Sequence, residues 1–87
     1  MNEDAIRSFR EKLNQYYAWP AVYTFKFIVP ASKEAEVIAL FPTHHSAAKA
    51  SKTGKYASIT FQMMMPSADA VIDIYQKAAT VEGLIAL

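Results

Sequence analysis

The stretch YASITFQMMM, residues 56–65, decides the fold, because its apolar residues recur at every second position. Ile59, Phe61, Met63 and Met65 fall on one side, and Tyr56, Ser58, Thr60, Gln62 and Met64 on the other, which is the period of a half-buried strand. AVYTFKFIVP, residues 21–30, repeats the pattern: Tyr23, Phe25, Phe27 and Val29 alternate with Val22, Thr24, Lys26 and Ile28. Two strands with one aromatic face and one largely polar face belong to an antiparallel sheet covered on a single side. The three consecutive methionines are separated by the same alternation. Met63 and Met65 extend the core row, where flexible thioethers fill gaps. Met64 stands alone on the polar face. Neighbours that point apart cannot converge on a soft metal ion, so no metal site is expected there.

Outward from these strands the chain is helical. DAIRSFREKLNQYYAWP spaces Ile6, Phe9, Leu13, Tyr16 and Tyr17 by three and four, predicting an amphipathic helix within residues 1–18 that Pro20 brings to an end. After Pro30, Ser32 is the expected cap of a short helix over KEAEVIALF, with Val37, Ile38 and Phe41 facing inward. SKTGKY, with the interior Gly54, reads as a hairpin tip joining an edge strand to residues 56–65. PSADAVIDIYQKAA then offers Ser67 as a cap, Asp69 in the first turn, and Ala68, Val71, Ile72, Tyr75 and Ala79 as a buried stripe. Gly83 stops that region, and LIAL supplies a last short strand.

The order is an N-terminal helix followed by strand, helix, strand, strand, helix, strand. Such a βαββαβ core over residues 19–87 predicts an α+β, ferredoxin-like single domain, with two helices on one face of a four-stranded antiparallel sheet. The first helix must then cover a sheet edge or a partner.

Eighty-seven residues bury only about 60–65% of the surface of the unfolded chain, which disfavours a deep enclosed active site. The sequence has no cysteine, hence no disulfide, thiolate site or catalytic thiol, as expected of a cytoplasmic protein. MNEDAIRSF lacks the positive start and apolar run of a secretory signal, and no stretch approaches a membrane span. Net charge is +1, but every acidic residue lies at or before Glu36 or at or after Asp69. The middle of the chain is locally basic, with Lys49, Lys52, Lys55, His44 and His45.

Those lysines, with Tyr56, are candidate anion-binding residues at the hairpin, although solvated charges on an exposed turn explain them as simply. A lone glycine before a strand is not a phosphate-binding loop. Lys-Tyr-Ala-Ser-Ile-Thr-Phe, residues 55–61, follows part of the third-strand signature of RNA recognition motifs. Ser58 replaces its second stacking ring, so nucleic-acid binding is disfavoured. His44 and His45 are adjacent and cannot chelate one ion from an extended chain. No nucleophile is paired with a base. The loop after the first strand has no arginine, and both asparagines precede the sheet, unlike acylphosphatase-type enzymes of this architecture. The expectation is a protein that is not an enzyme and needs no cofactor.

YTFKFIVP, SKTGKYASITF, PSADAVIDIYQKA and EGLIAL, taken in order and spacing, resemble the small bacterial YbeD-like family from about Trp19 to Leu87. The resemblance implies a ferredoxin-like fold similar to ACT regulatory domains and the binding of a small molecule or a protein. It implies no catalytic residues. Pro30 and Ala31 stand where ACT domains commonly carry a ligand-binding glycine.

These features together point to a regulatory or interaction module. Val22, Lys26, Ile28 and Met64 are the candidate surface on the polar face of the sheet, where scattered apolar residues allow two copies to pair. In an antiparallel arrangement Val22 is expected near Met64 and Ile28 near Tyr56.

Overall fold

The computed structural model describes residues 2–41 and 48–87, and for residues 48–53 the main chain alone. The fold is α+β, with three helices packed against an antiparallel sheet. In chain order the elements are α1 (Glu3–Tyr16), β1 (Ala21–Pro30), α2 (Glu34–Leu40), β2 (Ala48–Thr53), β3 (Tyr56–Met65), α3 (Ala68–Ala78) and β4 (Ile85–Ala86).

The alternation in the sequence sets the register. β1 and β3 pair antiparallel along their full length, from Ala21 opposite Met65 to Pro30 opposite Tyr56, with Phe25 opposite Phe61 near the middle. β2 pairs with the outer edge of β3, and the two-residue β4 joins the far edge of β1 at Phe27 and Ile28. Gly54 and Lys55 make the hairpin turn, with Gly54 at φ +60° and no other residue there at positive φ. Glycine at the first turn position with a negative φ at the second is the type II′ pattern, which matches the twist of the flanking strands.

The core lies between the sheet and the helices. Phe25, Phe27 and Val29 of β1 and Ala57, Ile59, Phe61, Met63 and Met65 of β3 are all buried, against Val37 of α2 and Val71, Ile72 and Ile74 of α3. Phe27, Phe41 and Phe61 form a ring cluster, with Phe41 edge-on to Phe61 at 5.4 Å. No buried side-chain nitrogen or oxygen among the described residues lacks a hydrogen bond.

Side-chain caps hold two helix starts. The Asn2 side chain accepts from the Ala5 amide at 2.7 Å, and Ser67 Oγ accepts from the Ala70 amide at 3.1 Å. Ser32 does not cap α2. Residues Ala31–Lys33 form a 3-10 turn, so α2 begins after Lys33 with no side-chain cap.

Three inward positions expected from spacing are corrected. Tyr16 is 81% exposed and Ile38 43% exposed, because α1 ends at Tyr16 and α2 makes only two turns over the sheet. On α3, Ala79 is exposed, while Ile74 and Ala78 are buried. The buried stripe of α3 is wider than the spacing suggested because α1 also packs against that helix. Gly83 lies beyond the end of α3, in the turn leading to β4, with φ +81°. The segment 42–47, with His44 and His45, lies outside the described residues.

α1 extends the helical layer. Phe9 meets Tyr75 edge-on at 5.5 Å, Arg10 Nε donates to Asp69 Oδ1 at 2.7 Å, and Leu13 is buried. What the first helix covers is therefore α3.

Candidate interaction surface

One face of the sheet carries the helices, and the described elements leave the other open. On β1 the open face presents Val22, Thr24, Lys26 and Ile28; on β3 it presents Tyr56, Ser58, Thr60, Gln62 and Met64. Val22 and Met64 are directly opposite, and they are 55% and 63% exposed. The Leu87 amide donates to the Lys26 carbonyl, so the even-numbered main-chain groups of β1 point toward β4, away from β3. Val22 and Met64 are thus a non-hydrogen-bonded pair, the closer kind, with Cα atoms about 4.5 Å apart. They form one small apolar patch at that end of the sheet.

At the other end Ile28 and Tyr56 are diagonal neighbours on the same face rather than a direct pair. Tyr56 is opposite Pro30, and Ile28 is opposite Ser58 on one side and Ile85 of β4 on the other. Ile85 is 54% exposed, so Ile28 and Ile85 are the apolar pair there. LIAL is apolar throughout, so its spacing alone does not mark Ile85, which enters this face through the pairing of β4 with β1. Lys26 sits between the two ends, opposite Thr60, exposed and without an ion pair among the described residues.

The candidate anion-binding residues are spread along the hairpin. Lys55 is exposed in the turn, Tyr56 is exposed on β3, Lys49 pairs across the ladder with Thr60, and Lys52 pairs with Ala57. Positions 49 and 52 therefore have opposite parity on β2. Their side chains lie outside the described residues.

Behind the sheet, Tyr23 and Tyr75 bring their hydroxyls within 3.0 Å in a partly buried aromatic group with Phe9, Tyr17 and Phe25. Burial first, and then the hydrogen bond with Tyr23, hold the Tyr75 phenol far above its ordinary ionisation range, so it stays protonated. A cavity of about 250 Å³ beside it is lined by Tyr75, Gln76, Ala79, Leu84 and Ala86. That is below the usual size of a small-molecule site, roughly 300–1,000 Å³. No group of three or more His, Cys, Asp or Glu among the described residues could hold a metal ion. No described helix is long and apolar enough to cross a membrane.

Residues 14–86 match a family described as "Protein of unknown function (DUF493)". The chain belongs to this family. YbeD-like proteins are DUF493 proteins, so the resemblance drawn from the strand and hairpin segments holds. No curated protein and no solved structure matched the chain. The DUF493 match begins near the end of α1, so it takes in the open sheet face whole and leaves most of α1 outside.

Proposed function

We propose that this DUF493 protein is a non-enzymatic, cytoplasmic interaction module of ferredoxin-like architecture that works through the open face of its sheet. The strand order β2-β3-β1-β4, with α2 and α3 on one side, supports the ferredoxin-like reading. The observation that carries the function is the Val22–Met64 pair. Two large apolar side chains lie side by side at one end of a face whose middle is polar, and neither is part of the buried core. More than half exposed, the two side chains contribute only a cross-strand contact to folding, whereas at an interface they would lose their remaining water together.

A regulatory role similar to that of ACT domains is part of this proposal, exerted by contact with a protein. The Val22–Met64 and Ile28–Ile85 pairs are the contact points, with Lys26 between them. The test is a comparison of wild type with the V22Q/M64Q variant, which keeps side-chain bulk and neutral charge. Retention of a protein partner by wild type and its loss by the variant, at equal thermal stability, supports the reading. Light scattering over a wide concentration range separates pairing of two copies from binding of a different chain.

A further inference from the structure

Charge in this molecule is divided between its two layers. The residues of β1, β2 and β3 and the hairpin turn contain four lysines, Lys26, Lys49, Lys52 and Lys55, and neither they nor β4 contain an Asp or Glu. The helices and the remaining connections hold five lysines and arginines against eight carboxylates. One layer is thus four positive and the rest three negative, which sum to the net +1.

The helical layer also neutralises itself. Arg7 pairs with Asp4, Arg10 with Asp69, Lys33 with Glu36 and Lys77 with Asp73. Lys26, on the open face, has no such partner among the described residues. On the open face this leaves Lys26 and the register position of Lys49, opposite Thr60, with no Asp or Glu on the strands; position 52, opposite the buried Ala57, belongs to the other face and Lys55 to the turn.

We propose that the occupant of the open face is an acidic polypeptide segment of another protein, with carboxylates drawn to Lys26 and aliphatic side chains set on the Val22–Met64 and Ile28–Ile85 pairs. This rests on the reading of that face as the working surface. Charge complementarity selects the sign of the partner. Two other occupants fit less well. A nucleic acid needs stacking rings, and Tyr56 is the one exposed aromatic on the described part of this face, since Phe25, Phe27 and Phe61 are buried on the other. A second copy related by a two-fold axis sets basic face against basic face, and a copy offering its acidic helices makes a head-to-tail contact that does not close.

The probes are a peptide alternating glutamate with valine, one of equal length alternating lysine with valine, and oligouridylate, each titrated into the 15N-labelled full chain. The glutamate peptide is expected to shift amides within residues 22–28 and 58–64, with affinity falling several-fold as salt rises. K26E weakens its binding about tenfold, and the neutral K26Q falls between, since the loss follows charge. Circular dichroism checks that each variant is folded. Equal binding of the lysine peptide, tighter binding of oligouridylate at the same amides, or unmoved amides with the glutamate peptide overturns the inference. If the glutamate peptide fails while V22Q/M64Q still loses a partner that wild type retains, the acidic occupant is wrong and the interaction face stands. If both fail, both fall.

Discussion

The hydroxyl of Tyr75 on α3 lies 3.0 Å from that of Tyr23 on β1, in a partly buried ring cluster that ties the helical layer to the sheet. The pair gives the fold an alkaline limit. In the unfolded chain the Tyr75 phenol ionises near its ordinary value of 10.0, while in the folded chain it ionises only well above that. The stability it contributes is therefore complete below that unfolded value and is lost as pH climbs toward the folded one, because the unfolded state then binds fewer protons. Urea unfolding on either side of that pH should show the loss, and Y75F should flatten it while costing about 0.5–1.5 kcal/mol at neutral pH.

Gly83 makes a sharper demand on the backbone than Gly54. Both have positive φ, but a Cβ at position 83 would sit 2.8 Å from Pro30 Cγ, whereas one at position 54 meets nothing within 4 Å. G54A should cost about 1–2 kcal/mol, the strain of left-handed backbone alone. G83A should cost more, as measured by denaturation midpoints, because Pro30 or β4 must also shift. Equal costs would show that the turn relaxes freely.

The Arg10–Asp69 contact joins α1 to the first turn of α3 at 2.7 Å, but its side chains are 42% and 72% exposed. An ion pair so open to water contributes about 0.2–1 kcal/mol, and less at high salt. D69A should exceed R10A, since Asp69 also faces the positive end of α3. A double-mutant cycle at low and high salt measures the coupling directly.

Attachment of α1 depends instead on apolar burial. L13A should cost about 2–5 kcal/mol by emptying a buried site. Y16A, on the same helix and 81% exposed, should change stability by less than about 0.5 kcal/mol.

The face of each strand residue was legible in the sequence because the side-chain period is two and a one-residue slip would turn every core residue to water. That places Val22 and Met64 on one face, while their standing directly opposite is set by the β1–β3 pairing. The Ser67 cap was legible for a similarly local reason, since hydroxyl and helix amide are three residues apart. The misses arise where a distant element decides. Ser32 looks like a cap until the turn after Pro30 tightens into a 3-10 helix. Ile38 and Tyr16 have helical spacing, but Tyr16 is the last residue of α1, and Ile38 follows the buried Val37 by one position, which turns it about 100° further round the helix. Ile85 joined the site because pairing of β4 with β1 brings residues 28 and 85 together, a contact that local spacing does not encode. The division of charge between layers required knowing which residues share the sheet.

If the open sheet face is a contact surface, wild type and V22Q/M64Q must differ in what each retains from an extract of the native cell, with melting temperatures compared alongside. At least one stoichiometric protein should be held by wild type and lost by the variant, with melting temperatures within about 4 °C because exposed substitutions cost little. Identical retained proteins, or a large fall in the variant's melting temperature, would contradict that reading of the face.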